Sequence, residues 1–582
     1  MTAQPHHDGS PLYVSDPAPA LGDTVTVWVR VPVDAGVAMV WVRSTPDGEP
    51  AFTMSSVDRQ ARGEVWWRAE VRVRNPVTNY RFLLVDAAGR YRWLTALGVV
   101  EHDVPDGTDF RLVAYPPPPA WHAGSVVYQI FPDRFARSAA AADREPPDWA
   151  VPCDWDDPVI GSGPQTPVQF YGGDLDGIAA HLDHIEALGC TAVYLTPVFP
   201  APSNHRYNAS SFDVVDPLLG GEPALHRLAK ALHDRGIRLI GDLTTNHTGD
   251  THPWVADPSL YYVDGQGRYE SWQGFPTLPK LNWGSAELRR RFLDPANGVA
   301  TRWLRDLDGW RVDVANMTGR LAGDDYAHEV AAALRAAVTG VREDALLVAE
   351  HTHDATGDLD RNGWHGTMNQ AGFTRPLWTW LRAPELDLTH FLGVPVPVPR
   401  WGGPAVHATL RGFAARISWR SLTNSWNLLG SHDTPRIRTV VRDPARREVA
   451  AGLLATLPGV PMVFAGDELG LEGVNGEDGR RPMPWHRPST WDTAALRWYR
   501  ELIALRRAQP ALRTGGLRWA DVSEDALAFW RETPDQRLLV LARRAPGEPV
   551  PVPHRGENLY GRAPLDGELP GDGPAVQVWA VD

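Results

Sequence analysis

The chain has 582 residues, 43% of them hydrophobic and 22% charged, with a formal net charge of −14. That length points to two or three domains, and the negative balance excludes nucleic acid and anionic membranes as main partners. Two cysteines, Cys153 and Cys190, build neither a disulfide scaffold nor a cysteine metal site. No run of about 18 apolar residues offers a membrane span. Residues 1–10 lack the charged start and apolar stretch of a signal peptide. The expectation is a soluble cytoplasmic protein. Lys230 and Lys280 are the only lysines among 57 basic residues, which reads as a codon bias towards arginine.

Residues 1–118 read as an N-terminal β-sandwich. Thr24–Val31, Val37–Val42, Val65–Val73 and Tyr80–Val85 are short runs rich in Val and aromatics, separated by Gly, Asp, Asn and Pro. Pro116–Pro119 is a stiff boundary. From Trp121 the pattern changes to apolar strands alternating with amphipathic helices. Val126–Ile130 is a strand, Ile178, Leu182, Ile185 and Leu188 fall at helical spacing, and Ala192–Leu195 is the next strand. Leu225, Leu228 and Leu232 mark a helix before the strand Arg238–Leu243. Gly309–Ala315, Ala345–Glu350, Asn427–His432 and Pro461–Ala465 continue the series. Such alternation predicts an α/β fold, a (β/α)8 barrel over 119–513, with an insertion at about 248–289 over its active end. Residues 514–582 return to short strands, among them Ala526–Trp530, Leu538–Ala542 and Ala575–Trp579, and read as a C-terminal β-sandwich domain.

Barrel enzymes carry their chemistry at the C-terminal ends of the strands. Here those ends present Asp242, Asp313, Glu350 and Asp433, with His247, Arg311 and His432 beside them. In Gly309–Met317 a period of two puts Trp310, Val312 and Val314 on one face and Arg311, Asp313 and Ala315 on the other. A structural ion pair is the plain reading of Arg311 and Asp313 alone. Four carboxylates converging on one mouth argue against it, because like charges repel in a purely structural role. No phosphate loop, His-Glu-x-x-His or Gly-x-Ser-x-Gly motif is present. Two carboxylates flanking a bond, with no cofactor and no metal, suit glycosidic cleavage, one as nucleophile or base and one held protonated. The 25 tryptophans, against 15 Phe and 14 Tyr, fit that reading, since an indole face stacks on sugar rings, although most are expected in cores.

The chain resembles the α-amylase family of glycoside hydrolases. Asp242–His247, Gly309–Met317, Glu350–His353, Leu428–Thr434 and the run from Gly459–Pro461 to Gly466–Glu468 match the family's signatures, in its order. It is most similar to the neopullulanase, cyclomaltodextrinase and maltogenic amylase group, on Leu278-Pro279-Lys280-Leu281-Asn282, Tyr128–Phe135, Tyr171–Leu175 and the preceding β domain. The resemblance implies Asp313 as nucleophile, Glu350 as general acid and then base, and Asp433 as the residue that holds ring hydroxyls and stabilises the transition state. It implies that Arg311 orients Asp313, that Asp242 holds Arg311, and that His205, His247 and His432 bind sugar hydroxyls with Tyr207 stacked under the ring. A half-buried loop aromatic is the plain alternative for Tyr207. A retaining mechanism sets the nucleophile and acid carboxyls roughly 5–5.5 Å apart.

Four departures fall on the substrate and ion sites. Thr244-Thr245 replaces a bulkier apolar pair, His351-Thr352 replaces the Ile-Trp after the acid, and Met317 stands where the group has Glu. The Asn- and Asp-rich calcium loop of the group is Ala136–Ala142 here, so no calcium is expected at that position. The implied substrates are maltooligosaccharides, cyclic maltodextrins or pullulan-like α-glucans. The alternatives are a transglycosylase using the same residues and a non-catalytic sugar-binding scaffold. A homodimer through the N-terminal domain is a further expectation from the resemblance.

Overall fold

The structure, a computed structural model, describes residues 4–386, 388 and 394–581. Two antiparallel sheets lead the chain. One contains Thr24–Pro32, Ser56–Ala61 and Glu64–Arg72, the other Val37–Ser44, Val77–Asp86 and their neighbours. Val25, Val27, Val29 and Val31 from the first sheet share a core with Val40, Val42, Phe82 and Leu84 from the second. The alternation read in the sequence is what supplies those two inner faces. The proline segment is docked on the barrel. Arg335 donates to the Pro116 carbonyl at 2.8 Å, and Arg420 to the Val113 and Tyr115 carbonyls at 3.1 and 2.9 Å.

Eight parallel strands then close into a barrel. They are β1 (Val127–Ile130), β2 (Ala192–Leu195), β3 (Arg238–Thr244) and β4 (Gly309–Asp313), followed by β5 (Leu346–His351), β6 (Gly366–Asn369), β7 (Trp426–Leu428) and β8 (Val460–Phe464). Alternate residues face the lumen and the surrounding helices. Ile240, Leu346, Val348, Met368 and Met462 fill the inside, while Leu239, Leu243, Trp310, Val312 and Leu347 pack outward. Trp310 is fully buried, and Trp310→Ala would cost about 3–5 kcal/mol by opening a cavity behind β4. Gly309 enters β4 at φ 145°, where a Cβ would sit 2.2 Å from the Leu346 carbonyl oxygen, so that position admits only glycine.

Three sequence expectations are corrected. β6 went unread, because Gly-Thr-Met-Asn is short and polar and has no β-branched run. The Ile178–Leu188 helix is two pieces, Leu175–Ala179 and Leu182–Leu188. His181 breaks it: its ring stacks on Trp485 at 4.3 Å and its Nδ1 lies 2.9 Å from the Gly177 carbonyl. The strand expected to run through Ala315 ends at Asp313, because Val314 turns into the left-handed region at φ 37°.

The insertion is built of short 3-10 turns, Pro253–Ala256, Pro258–Leu260 and Trp272–Gly274, and returns through a bridge between His247 and Lys280. The chain closes with a six-stranded antiparallel sheet beginning at Gly516–Val522 and ending at Ala575–Val581. Leu527, Phe529, Leu538 and Val540 on one face join the barrel's helical core, and Ala528, Trp530, Leu539 and Leu541 on the other form a separate cluster. Among the described residues no helix is long and apolar enough to cross a membrane.

Candidate active site

The parity of β3, β4 and β5 brings the charged residues together. Asp242 on β3 lies in register with Arg311 on β4. Both point inward, as do Asp313 and Glu350, because their odd-spaced neighbours Leu243, Val312 and Ala349 pack outward. Arg311 is fully buried and has three carboxylates for partners. Its Nη1 donates to both oxygens of Asp242 at 2.9 Å and to Asp313 Oδ1 at 2.9 Å, and its Nη2 lies 2.8 Å from Glu350 Oε2. A buried cation of this kind is stable only with such partners. Sharing one guanidinium holds the Asp313 and Glu350 carboxyls close to each other.

Charge balance is then uneven, with one cation for three carboxyls. Burial pushes the Asp313 carboxyl well above its ordinary value, against the pull of Arg311 and with the neighbouring Glu350, Asp242 and Asp433 adding to the rise. Burial also lifts Asp242 to about 6, opposed by Arg311 and by the hydroxyls of Tyr194 and Tyr207. Glu350 additionally accepts the Val314 N–H at 2.8 Å, a bond that the left-handed turn at Val314 makes available. A β-branched residue at positive φ is a costly conformation, and here it sits between the two central carboxylates.

A second network runs from the inward face of β1 to the mouth. Gln129 Nε2 donates to His432 Nδ1 at 2.7 Å, so His432 carries its proton on Nε2. That N–H meets the Tyr207 oxygen at 2.7 Å, and the Tyr207 hydroxyl donates to Asp242 Oδ2 at 2.8 Å. Tyr194 donates to the same oxygen at 2.5 Å. Burial, with Arg480 and Arg311 nearby, holds His432 well below the ordinary imidazole value and keeps it neutral. The Tyr207 and His432 rings stack at 5.5 Å and 8°. Tyr207 is therefore held within this network by its hydroxyl and its ring.

Asp433 is the most open of the carboxylates, its side chain 40% exposed, with Arg480 Nη2 at 3.2 Å and His432 Nε2 at 3.1 Å. His205 packs against Tyr207 at 5.9 Å, and its Nδ1 accepts the Tyr207 N–H at 3.1 Å. Burial takes His205 down to about 3. His247 is brought to about 3 by burial and then by Lys280, and its buried Nε2 has no aligned hydrogen bond. The Trp272 ring from the insertion lies 5.8 Å from that imidazole. Asp242, Arg311, Asp313, Glu350, Tyr207, His205, His432 and Asp433 are thus linked by these contacts, and His247 sits apart against Lys280 and Trp272. Tyr194, Gln129 and Arg480 were not foreseen. Tyr194 and Gln129 sit at inward positions of β2 and β1 and could have been found by strand parity. Arg480, far along the chain from Asp433, carries no local signal.

Among the described residues no cluster of three or more His, Cys, Asp or Glu side chains is arranged to hold a metal ion. Beside the segment that replaces the family's calcium loop, Asp174 is engaged by donors. It accepts from Ser138 Oγ at 2.6 Å, Arg144 Nη1 at 2.7 Å and the N–H groups of Ser138 and Gly177.

An inward cluster of carboxylates around one arginine, at the C-terminal ends of barrel strands and free of phosphate or cofactor motifs, defines a glycoside hydrolase of the (β/α)8 class. The catalytic-domain model of α-amylases matches residues 129–272 and 405–494. A cyclomaltodextrinase of Geobacillus thermopakistaniensis is 31% identical over 85% of this chain and 83% of its own. Among solved structures, a cyclic α-maltosyl-(1→6)-maltose hydrolase from Arthrobacter globiformis is 35% identical over 75% of this chain and 93% of that one, with a TM-score of 0.65. The type III pullulan hydrolase from Thermococcus kodakarensis is 25% identical, with 99% of each chain covered and a TM-score of 0.73. The chain belongs to the α-amylase family of glycoside hydrolases and is closely related to its cyclomaltodextrinase, neopullulanase and maltogenic amylase group.

Proposed function

We propose that this enzyme hydrolyses α-1,4 and α-1,6 glucosidic bonds of small cyclic and linear maltodextrins by double displacement, with retention at the anomeric carbon. The observation that carries this reading is Arg311, which gathers Asp242, Asp313 and Glu350 onto one guanidinium at the barrel mouth. Asp313 attacks the anomeric carbon, and Glu350 passes its proton to the departing glycosidic oxygen. A covalent glycosyl ester forms on Asp313. Glu350 then takes a proton from water, whose oxygen attacks the same carbon and releases Asp313. The mechanism uses Asp313 as the carboxylate and Glu350 as the proton donor at the moment of attack, and Arg311 contacts both carboxyls.

The relay Gln129–His432–Tyr207–Asp242 holds the glycon. Tyr207 supplies a flat face under the ring, and His205, His247 and His432 hold hydroxyls as neutral imidazoles. Asp433 is open enough to accept two ring hydroxyls and to oppose the charge that develops in the oxocarbenium-like transition state. Relatives named as cyclomaltodextrinase, cyclic α-maltosyl-(1→6)-maltose hydrolase and pullulan hydrolase support cyclic and pullulan-like α-glucans as substrates. Residues 1–118 form a separate N-terminal unit in this reading, the barrel covers 119–513, and the C-terminal sheet follows from 514.

The test is a product profile on maltohexaose, β-cyclodextrin, cyclic maltosyl-maltose, pullulan and soluble starch, with Asp313→Asn as blank. The expected result is fast opening of a cyclic or short glucan to α-anomeric products, absent in the blank. Longer or rebranched products would make the enzyme a transglycosylase. Binding without turnover on any substrate would make it a scaffold.

A further inference from the structure

Behind the acid strand lies a second charged cluster that the reaction as described does not use. Its centre is Asp358, with a side chain only 12% exposed. Groups from three separate segments converge on its carboxylate. His351, the residue after Glu350, places Nε2 2.8 Å from Oδ2. Arg320, from the loop after β4, approaches with both terminal nitrogens at 2.8 and 3.2 Å. His328 adds Nε2 at 2.7 Å from Oδ1. Burial alone would raise this carboxyl, but His351 and Arg320 hold it far below its ordinary value. Arg320 also donates to the Asn316 carbonyl at 2.8 Å and pairs with Asp325. The same loop is fixed again at Asp360, which has φ 58° and accepts from Ser418 Oγ, Ser421 Oγ and Arg111 of the N-terminal sheets.

The position of this cluster follows from the chemistry. The glycon side is closed by Tyr207, His432 and Asp242, and Glu350 must face the oxygen that leaves. The departing sugar therefore passes between the loops that follow Asp313 and Glu350. Those are the two loops that Arg320 and Asp358 tie together, with His351 at the end of β5 as a third point. His351 is itself 2% exposed and stands where its relatives are expected to carry an apolar residue.

We propose that Asp358 is a positioning residue for the leaving-group side. Through its bonds to His351 and Arg320 it locks the loops after β4 and β5, and so sets the direction in which Glu350 presents its proton. The proposal rests on Glu350 being the general acid, and the experiment separates the two claims.

The enzyme and its Asp358→Asn, Arg320→Gln and Glu350→Gln variants are compared on β-cyclodextrin and on α-maltosyl fluoride, with kcat/KM as the readout. A sugar leaving group needs the proton and fluoride does not. Asp358→Asn is expected to lower kcat/KM on β-cyclodextrin by roughly 10²-fold, the scale of a catalytic group displaced by about an ångström. Its loss on the fluoride should stay within about threefold, since uniform binding is untouched. Arg320→Gln should show the same contrast at smaller size, and it decides the matter if Asp358→Asn does not fold. Equal losses on both substrates, or no loss on either, would overturn the proposal and leave Asp358 a structural brace. Glu350→Gln must show the same contrast, only larger. If it does not, the acid assignment fails and takes the proposal with it. If Glu350→Gln shows the contrast and neither other variant does, the proposal alone fails.

Discussion

The two sides of the scissile bond are built differently. The glycon side hangs on barrel strands: Tyr194 on β2, Asp242 on β3 and Gln129 on β1 hold Tyr207 and His432 in one relay. The leaving-group side takes its order from ion pairs that join the loop after β4 and the end of β5 to the loop after β5, Arg320 and His351 on Asp358. A strand fixes a side chain to within the pleat, whereas a loop needs a dedicated anchor. The comparison teaches where specificity can change. Changing Gln129, Tyr194 or Asp242 disturbs the barrel itself, but the aglycone side can be rebuilt by exchanging a few residues in and beside the loops after β4 and β5. This is also where the chain departs from the family pattern it resembles, at His351, Thr352 and Met317.

The largest effect should come from the centre that both sides share. Asp313→Asn is expected to lower kcat by about 10⁴-fold or more, the scale seen when a nucleophile is removed. The same change should stabilise the fold. Burial and its neighbours raise the Asp313 carboxyl, so above its native value the charged native form is disfavoured relative to the unfolded chain. The gain in Tm should therefore be present at pH 7–8, shrink as pH falls, and vanish once the unfolded carboxyl is also protonated, below about pH 4. A scanning calorimetry series across that range checks the sign. A variant less stable than the parent at pH 7 would mean that Arg311, not repulsion, dominates the cluster.

Next in size is the glycon relay. Tyr207→Phe removes the hydroxyl shared by Asp242 and His432 and leaves the His432 Nε2–H with Asp433 alone, at 3.1 Å. A fall in kcat/KM of roughly 10²-fold is expected on every substrate alike, cyclic, linear or fluoride. Uniformity is the point. A loss confined to sugar leaving groups would erase the difference drawn between the two sides.

The smallest effect concerns pH. His205 and His247 are held at about 3 by burial, and His432 is also well below its ordinary value. None of these imidazoles changes charge between pH 5 and 8. The limbs of the pH–rate profile should then belong to the coupled carboxyls. His205→Gln should lower kcat/KM about tenfold, the loss of one hydrogen bond to the sugar, and leave the midpoints of both limbs in place. A midpoint moved by half a unit or more would assign the limb to histidine.

Much of this was legible in the residues. The alternation Trp310, Arg311, Val312, Asp313 carried the inward and outward faces of β4, and the packing of Trp310 and Val312 among the helices agrees with it. The signature runs located every carboxylate of the centre. What stayed hidden has physical reasons. The turn at Val314 violates the preference of a β-branched residue, so no local pattern announces it. β6 is held by its neighbours and not by its own composition. Asp358 looks like any loop aspartate until the fold brings Arg320 and His328 to it, and Arg480 reaches Asp433 only through the closing of the barrel at β8.

The most direct measurement of the central claim is to trap the intermediate. Glu350→Gln enzyme is mixed with α-maltosyl fluoride, digested and read by mass spectrometry. Fluoride departs without an acid, and without a base the ester persists. A maltosyl group on the peptide that carries Asp313 is the predicted result. A β-configured product with no covalent adduct, or an adduct on Asp433 or Asp242, would contradict the account.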